Sequence, residues 1–173
     1  MGGPRPLTGR YGLAVVEVEL REVEDGDLET LYEHQLDEQA ANMAGFPSRG
    51  RDAFIAHWER IRADPECITL SIVADGALAG NLGCFPDVGK RAVGYWIGKE
   101  FWGKGIATAA GHALIDHLRA DARFVRLEAP VFEWNPASMR VLEKLGFERV
   151  AVLRKSVTKD GQLIDSVLYS YLL

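Results

Sequence analysis

The apolar positions of this chain change period several times, and each change marks an element. LAVVEVELREV, residues 13–23, alternates toward its end and predicts a strand. In DGDLETLYEHQLDEQA, Leu28, Leu31, Tyr32 and Leu36 share one helical face, and Asp27 stands where an N-cap belongs. NMAGFPSRG interrupts that helix. RDAFIAHWERIRAD aligns Phe54, Ile55, Trp58 and Ile61, predicting a second helix that Pro65 ends. Three strand-like runs follow, CITLSIVAD, ALAGNLGCFP and RAVGYWIG; Asp75-Gly76 joins the first two as a tight hairpin pair.

Beyond residue 98 the period lengthens again. Ala107, Ala110, Ala113, Leu114, His117 and Leu118 recur at helical spacing, and RFVRLEAPVF reads as a strand. NPASMRVLEKLGF carries the fullest set of helix signals. Asn135 is its cap, Pro136 fills the first turn, Gly146 stops it, and Phe147 is placed to pack back on Leu142. ERVAVLRKSV and LIDSVLYSYLL close the chain as strands linked by TKDGQ. Residues 1–13 hold Gly and Pro without periodicity and read as a flexible leader, which leaves 14–173 as one domain. The order β-α-α-β-β-β-α-β-α-β-β describes a mixed α/β (α+β) fold, a sheet with helices on its faces.

The totals narrow the class. A chain of 173 residues is long enough to bury one core without staples. Its net charge of −5 argues against a nucleic-acid partner and is compatible with a cationic substrate. Cys67 and Cys84 form no C-x-x-C pair and lie among apolar residues, so they read as reduced core thiols of a cytoplasmic protein. The first twenty residues lack a basic start before an apolar run, so no signal peptide is expected, and no run is long enough for a membrane span. Pro6 stands where a myristoylation signal needs Ser or Thr. His34, His57, His112 and His117 show no metal-ligand spacing, and no metal is expected.

GKEFWGKGIATAAG, from Gly98 to Gly111, is the segment richest in candidate chemistry. Gly98, Gly103 and Lys104 match the start of a nucleotide-binding P-loop. Gly105 then stands where that loop needs a hydroxyl for magnesium, and Phe101 and Trp102 are bulky where it must curl. A nucleoside triphosphate site is therefore disfavoured. Two readings remain. In one, Gly103 and Gly105 let an anion approach the free amides at the start of the next helix. In the other, they only turn the chain from strand to helix.

VGYWIGKEFWGKGIATAAGHALIDH, followed by EWNPASMRVLEKLGFERV, resembles the GNAT superfamily of acyl-CoA-dependent N-acyltransferases, most closely its RimJ/RimL-like branch. The likeness in element order runs from about residue 15 to the C-terminus. It implies a central, mostly antiparallel mixed sheet whose middle strands splay, with helices on its faces, and acetyl-CoA as co-substrate. Gly105 and Ala107 match the last fixed positions of the motif Q/R-x-x-G-x-G/A; Trp102 replaces its first, as is common in that branch.

The resemblance also implies roles. Main-chain amides across Gly103, Lys104, Gly105, Ile106, Ala107 and Thr108 would cradle the coenzyme A diphosphate, with Lys104 adding charge. Trp96, Ile97 and Gly98 would run beside the pantetheine arm, and an amide there would face the thioester carbonyl. Asn135 would contact the arm, and Ser138 would protonate the departing thiolate. The Glu that many relatives carry on the strand before GYW is Ala92 here. Glu133, at the end of the strand leading to Asn135, is favoured as base over Asp87, Glu66 and His57. Met43 and Phe46 would wall the acceptor pocket, and Asp37 and Glu38 would attract a cationic amine. The implied reaction is direct acetyl transfer, in a ternary complex, to a primary amine of a protein N-terminus or a small molecule. The missing Glu leaves room for a non-catalytic acyl-CoA sensor of the same fold. Nucleic acid and membrane are not expected partners; a homodimer is compatible with this reading.

Overall fold

A computed structural model describes residues 7–10, 16–45, 48–87, 90–121, 124–159 and 161–173. Eight strands form one sheet: β1 (Leu7–Arg10), β2 (Glu17–Glu22), β3 (Ile68–Ala74), β4 (Ala77–Asp87), β5 (Lys90–Ile97), β6 (Arg126–Phe132), β7 (Glu148–Lys159) and β8 (Gln162–Leu172). Their spatial order is β1-β2-β3-β4-β5-β6-β8-β7. Among the described residues five α-helices accompany them: α1 (Leu28–Leu36), α2 (Glu38–Ala44), α3 (Arg51–Ala63), α4 (Ile106–Arg119) and α5 (Pro136–Lys144). Every described strand pair is antiparallel except β5 with β6. This is the mostly antiparallel mixed sheet expected of the GNAT fold.

Three expectations about the N-terminal third change. Leu7–Arg10, inside the segment read as a leader, forms an edge strand on β2, Leu7 opposite Leu20. The helix expected from residue 25 to residue 40 is two helices. Asp37 adopts an extended conformation (φ −63°, ψ 117°), and its carboxylate caps α2 by accepting from the Ala40 amide at 2.9 Å. Asp27 does not cap α1 with its side chain. It is buried, taking two bonds from Arg21 (2.6 and 2.7 Å), one from the Ser71 hydroxyl (2.7 Å) and one from the Glu24 amide (2.9 Å).

The other elements form where the period placed them. Asp75 and Gly76 both take positive φ (47° and 80°), as a two-residue hairpin loop requires. α5 ends as its sequence announces: Gly146 is left-handed, its amide bonds Glu143 O, and the Phe147 amide bonds Leu142 O. That pair of bonds satisfies the last carbonyls of the helix. α4 buries Ile106, Ala109, Ala110, Gly111, Ala113, Leu114, Ile115 and Leu118 against the sheet, whereas His117 is exposed. A Cβ on Gly111 would lie 2.5 Å from Leu145 Cδ1, so this glycine sets how closely the α5 end approaches α4. Among the described residues no helix is long and apolar enough to cross a membrane.

The feature that positions the site is a divergence. β5 and β6 run parallel and pair only at Arg91–Leu127 and Ala92–Glu128. β5 keeps its partner β4 as far as Ile97, and β6 keeps β8 as far as Phe132. Each strand therefore holds its outer neighbour while parting from the other, and a notch opens at their C-terminal ends. In open sheets this is where ligands enter, because the helices that follow the strands begin there.

Candidate active site

The main-chain groups along the notch can be assigned from the ladder. Gly98 N–H bonds Ala79 O at 2.9 Å, on the β4 side. Alternation along the strand turns the main chain of Tyr95 and Ile97 the other way, toward the notch. The Ile97 carbonyl is already taken by the Trp102 indole N–H at 2.8 Å. The Tyr95 and Ile97 amides remain as donors facing the gap.

Above the end of β5, Gly103 (φ 74°) and Gly105 (φ 77°) are both left-handed, and neither has an atom within 4 Å of where a Cβ would sit. The open side of this turn faces the start of α4. The first helical bond is Ala109 N–H to Gly105 O, and Gly105 brings no side chain to cap the turn. The Ile106, Ala107 and Thr108 amides thus have no helical acceptor, and they point where the helix dipole is positive.

Two cavities meet in the notch. The first, about 350 Å³, runs from Gly103–Thr108 past Trp96 and Ile97 to α5. On α5 it is lined by Ser138, Arg140 and Lys144, and neither cation makes an ion pair among the described residues. The second, about 490 Å³, lies toward α1 and α3, where Leu31, Phe54, Trp58 and Phe85 give it an apolar wall. Tyr95, Trp96, Asn135, Ser138, Met43 and Ala44 line both. At this junction the Tyr95 and Ser138 hydroxyls are 2.8 Å apart. Burial, only partly offset by that bond, pushes the Tyr95 phenol up to about 12.

α2 roofs the junction, held by donors from elements distant in sequence. Asn135 Nδ2 donates to Met43 O at 3.0 Å, and the Trp134 indole donates to Asn42 O at 2.9 Å. Lys159 Nζ reaches Asn42 O and Oδ1 at 3.2 and 3.1 Å while lying over the Trp134 ring. The last carbonyls of a helix lack helical partners, and here tertiary contacts supply them. Asn135 does double duty, since its Oδ1 also caps α5 at the Ser138 amide, 3.0 Å away.

Most of the residues expected at the site converge. Trp96, Ile97, Gly103, Gly105, Ile106, Ala107, Thr108, Asn135 and Ser138 all line the first cavity. Gly98 does not; it is buried against His34, whose Nε2 would be 2.6 Å from a Cβ there. Lys104 stands outside, exposed, its ammonium 5.4 Å from the Phe101 ring centroid.

The expected bases are dispersed. Glu133 and Asp87 are exposed and line neither cavity. Glu66 pairs with Arg91 at 2.7 Å. His57 does line the second cavity, but Arg60 lies 3.1 Å from its Nδ1. A guanidinium only donates, so Nδ1 is the acceptor and the proton of the neutral ring sits on Nε2. Asp37 is spent on Ala40 and Lys99, and Glu38 is exposed; neither lines the second cavity. Phe46, expected in the acceptor wall, lies outside the described residues. Among those described, no group of three His, Cys, Asp or Glu is placed to hold a metal.

The sequence reading missed Arg140 and Lys144. Their spacing with Ala137 and Val141 marks one face of α5, a stripe that periodicity alone reveals. The Tyr95 hydroxyl went unnoticed as well; nothing local to GYWIG points to a hydroxyl partner 43 residues away.

Comparison with known proteins agrees with this geometry. Residues 17–148 match the family model described as "Acetyltransferase (GNAT) domain". Over 125 residues the chain is 35% identical to the putative ribosomal N-acetyltransferase YdaF of Bacillus subtilis, covering 70% of this chain and 68% of that protein. A solved structure named as a probable acetyltransferase is 31% identical, with TM-score 0.77, covering 90% of this chain and 92% of the other. Mycobacterium smegmatis RimJ, solved in complex with CoA-disulfide, is 24% identical with TM-score 0.79, covering 98% of this chain and 90% of the other.

Proposed function

Because the chain belongs to the GNAT acetyltransferases and is an acetyl-CoA-dependent N-acetyltransferase, we propose that its first cavity seats acetyl-CoA and its second the amine, with transfer at their junction. The observation that carries this reading is the divergence of β5 from β6 beneath the open turn of α4. The diphosphate rests on the Gly103–Thr108 amides, and Arg140 and Lys144 neutralise the phosphates on the α5 side. The thioester lies along β5. The notch-facing amides of Tyr95 and Ile97 donate to its carbonyl oxygen as negative charge grows there.

The amine nitrogen attacks the thioester carbon directly, the C–N bond forms and the C–S bond breaks. Ser138, in hydrogen bond with Tyr95, gives its proton to the departing sulfur, and the proton shed by the attacking nitrogen as it becomes an amide returns to the Tyr95–Ser138 pair. No carboxylate among the described residues lines the acceptor cavity, so none of them serves as the base. The amine enters neutral, having lost its proton to water. A cationic surround favours that neutral form.

W-G-x-G-x-A at residues 102–107 supports a place in the RimJ/RimL-like branch. The acceptor is a primary amine of a protein N-terminus or of a small molecule. Two free thiols, Cys84 buried with its pKa raised to about 11, support a reducing cytoplasm as the setting. Release of free thiol from acetyl-CoA over a panel of amines and N-terminal peptides tests the assignment. Turnover that needs an amine and falls in Ser138→Ala is expected; tight coenzyme A binding with no turnover on any amine would instead make this a sensor.

A further inference from the structure

The acceptor cavity has an uneven charge. Its described lining contains two groups able to carry positive charge, Arg49 and His57, and no carboxylate. Arginines elsewhere along this side are paired: Arg51 with Glu29 at 2.8 Å, Arg62 with Asp25 at 2.7 Å, Arg91 with Glu66 at 2.7 Å. The Arg49 guanidinium has no such partner among the described residues. Its main chain is nevertheless fixed. The buried Gln35 donates to Arg49 O at 3.4 Å, and the Ser48 hydroxyl donates to Gln35 O at 2.6 Å.

His57 points to the same chemistry. With Nδ1 engaged by Arg60, its other ring nitrogen is a donor. Burial, and then the charges of Arg49 and Arg60, lower its pKa, so the ring is neutral at pH 7 and offers one N–H. The cavity therefore presents an unpaired guanidinium and an imidazole N–H beside an apolar wall of Leu31, Phe54, Trp58 and Phe85. A polyamine would meet like charge and find no described carboxylate for its second ammonium. An anion would find a charge-assisted donor.

We propose that the acceptor is a small amine that also carries an anionic group, a carboxylate, phosphonate or phosphate, bound by Arg49 with the help of His57, its apolar body lying against Phe54, Trp58 and Phe85. This rests on reading the second cavity as the acceptor site. Arg49 and the Tyr95–Ser138 pair line the same cavity, so one small molecule carrying an amino group and an anion can engage both.

The test is calorimetry on protein saturated with coenzyme A. The probes are leucine, methionine and phenylalanine, each beside its carboxamide, with the aminoalkylphosphonate counterpart of leucine and with spermidine. At least one acid or phosphonate should bind about ten-fold or more tighter than the matching amide, the range of a charged hydrogen bond. Spermidine should bind weakest. Arg49→Gln should erase the preference while coenzyme A binding persists, and Arg49→Lys should keep part of it. The inference is overturned if no anionic probe outbinds its amide, if spermidine binds best, or if the preference survives Arg49→Gln. Acetyl transfer assayed on the same probes separates the two claims. Equal transfer to acids and amides overturns only the anion site, whereas failure of the protein to bind acetyl-CoA would remove the acetyltransferase assignment beneath it.

Discussion

The Tyr95 and Ser138 hydroxyls lie 2.8 Å apart, one on β5 and the other in the first turn of α5, at the point where the two cavities join. A hydroxyl pair here ties β5 to the helix that follows β6, across the notch. Ser138→Ala and Tyr95→Phe should each lower kcat by about ten- to a hundred-fold, the scale of one proton-transfer partner. The KM for acetyl-CoA should change little. Because burial pushes the Tyr95 phenol up to about 12, it stays protonated through the working range. The rate profile should show no falling alkaline limb from this residue below about pH 10.

The pH dependence of kcat/KM should belong to the acceptor. With no described carboxylate lining the cleft, the rising limb should follow the deprotonation of the free amine. An α-amine near 8 and an alkyl amine near 10.4 should give limbs about two units apart. Glu133→Gln should leave kcat/KM within about two-fold, as expected of an exposed residue lining neither cavity. Steady-state rates across pH for both amines check the point; a limb fixed at one pH for both would indicate an enzyme base.

Asp27 anchors β2 and β3 to the start of α1. Burial alone would raise its pKa, but bonds from Arg21, Ser71 and the Glu24 amide outweigh that and hold it below the usual range. A depressed carboxylate stabilises the fold above its unfolded pKa, near 3.9, and that stability disappears as pH falls through the folded value. Acid titration of the fold should therefore show a loss beginning below about pH 4 that is absent in Asp27→Asn. At pH 7, Asp27→Ala should cost about 3 kcal/mol, because it leaves Arg21 and Ser71 without their shared acceptor. Chemical denaturation gives both values.

Asn135→Ala should act twice. Loss of the α5 cap should cost about 1 kcal/mol, and loss of the Met43 tie should free one end of the α2 roof. The KM for acetyl-CoA should rise. Asn135→Asp retains the cap oxygen but not the donor, so it should recover most stability while the raised KM remains. Thermal denaturation beside kinetics distinguishes these contributions.

How much of this could be read from the chain follows from the range of each interaction. α5 was legible throughout because its cap, first turn and stop are local in sequence, and Asn135, Pro136 and Gly146 take those positions. The glycine turn into α4 was legible for the same reason, and Gly103 and Gly105 take its left-handed positions. Asp37 was not, because a helical pattern that continues on both sides of it conceals a break made by a carboxylate capping a second helix. Asp27 looked like a cap because its partners, Arg21 and Ser71, lie on two strands that only the sheet brings beside it. The charge of the second cavity was hidden too. A net charge of −5 is compatible with a cationic substrate, but Asp37 caps α2 and Glu66 pairs with Arg91, while Arg49 lines the cleft.

The most direct test of the account is calorimetric titration of acetyl-CoA and of acetyl-pantetheine into the wild-type protein and Gly105→Ala. Gly105 is left-handed with open space ahead of it, so an added methyl strains the turn and stands in the anion's path. The wild type should bind acetyl-CoA at least about ten-fold more tightly than acetyl-pantetheine, which has no diphosphate, and Gly105→Ala should lose most of that difference. Equal affinity for the two ligands, or unchanged binding of acetyl-CoA in Gly105→Ala, would contradict a diphosphate seated on the α4 amides.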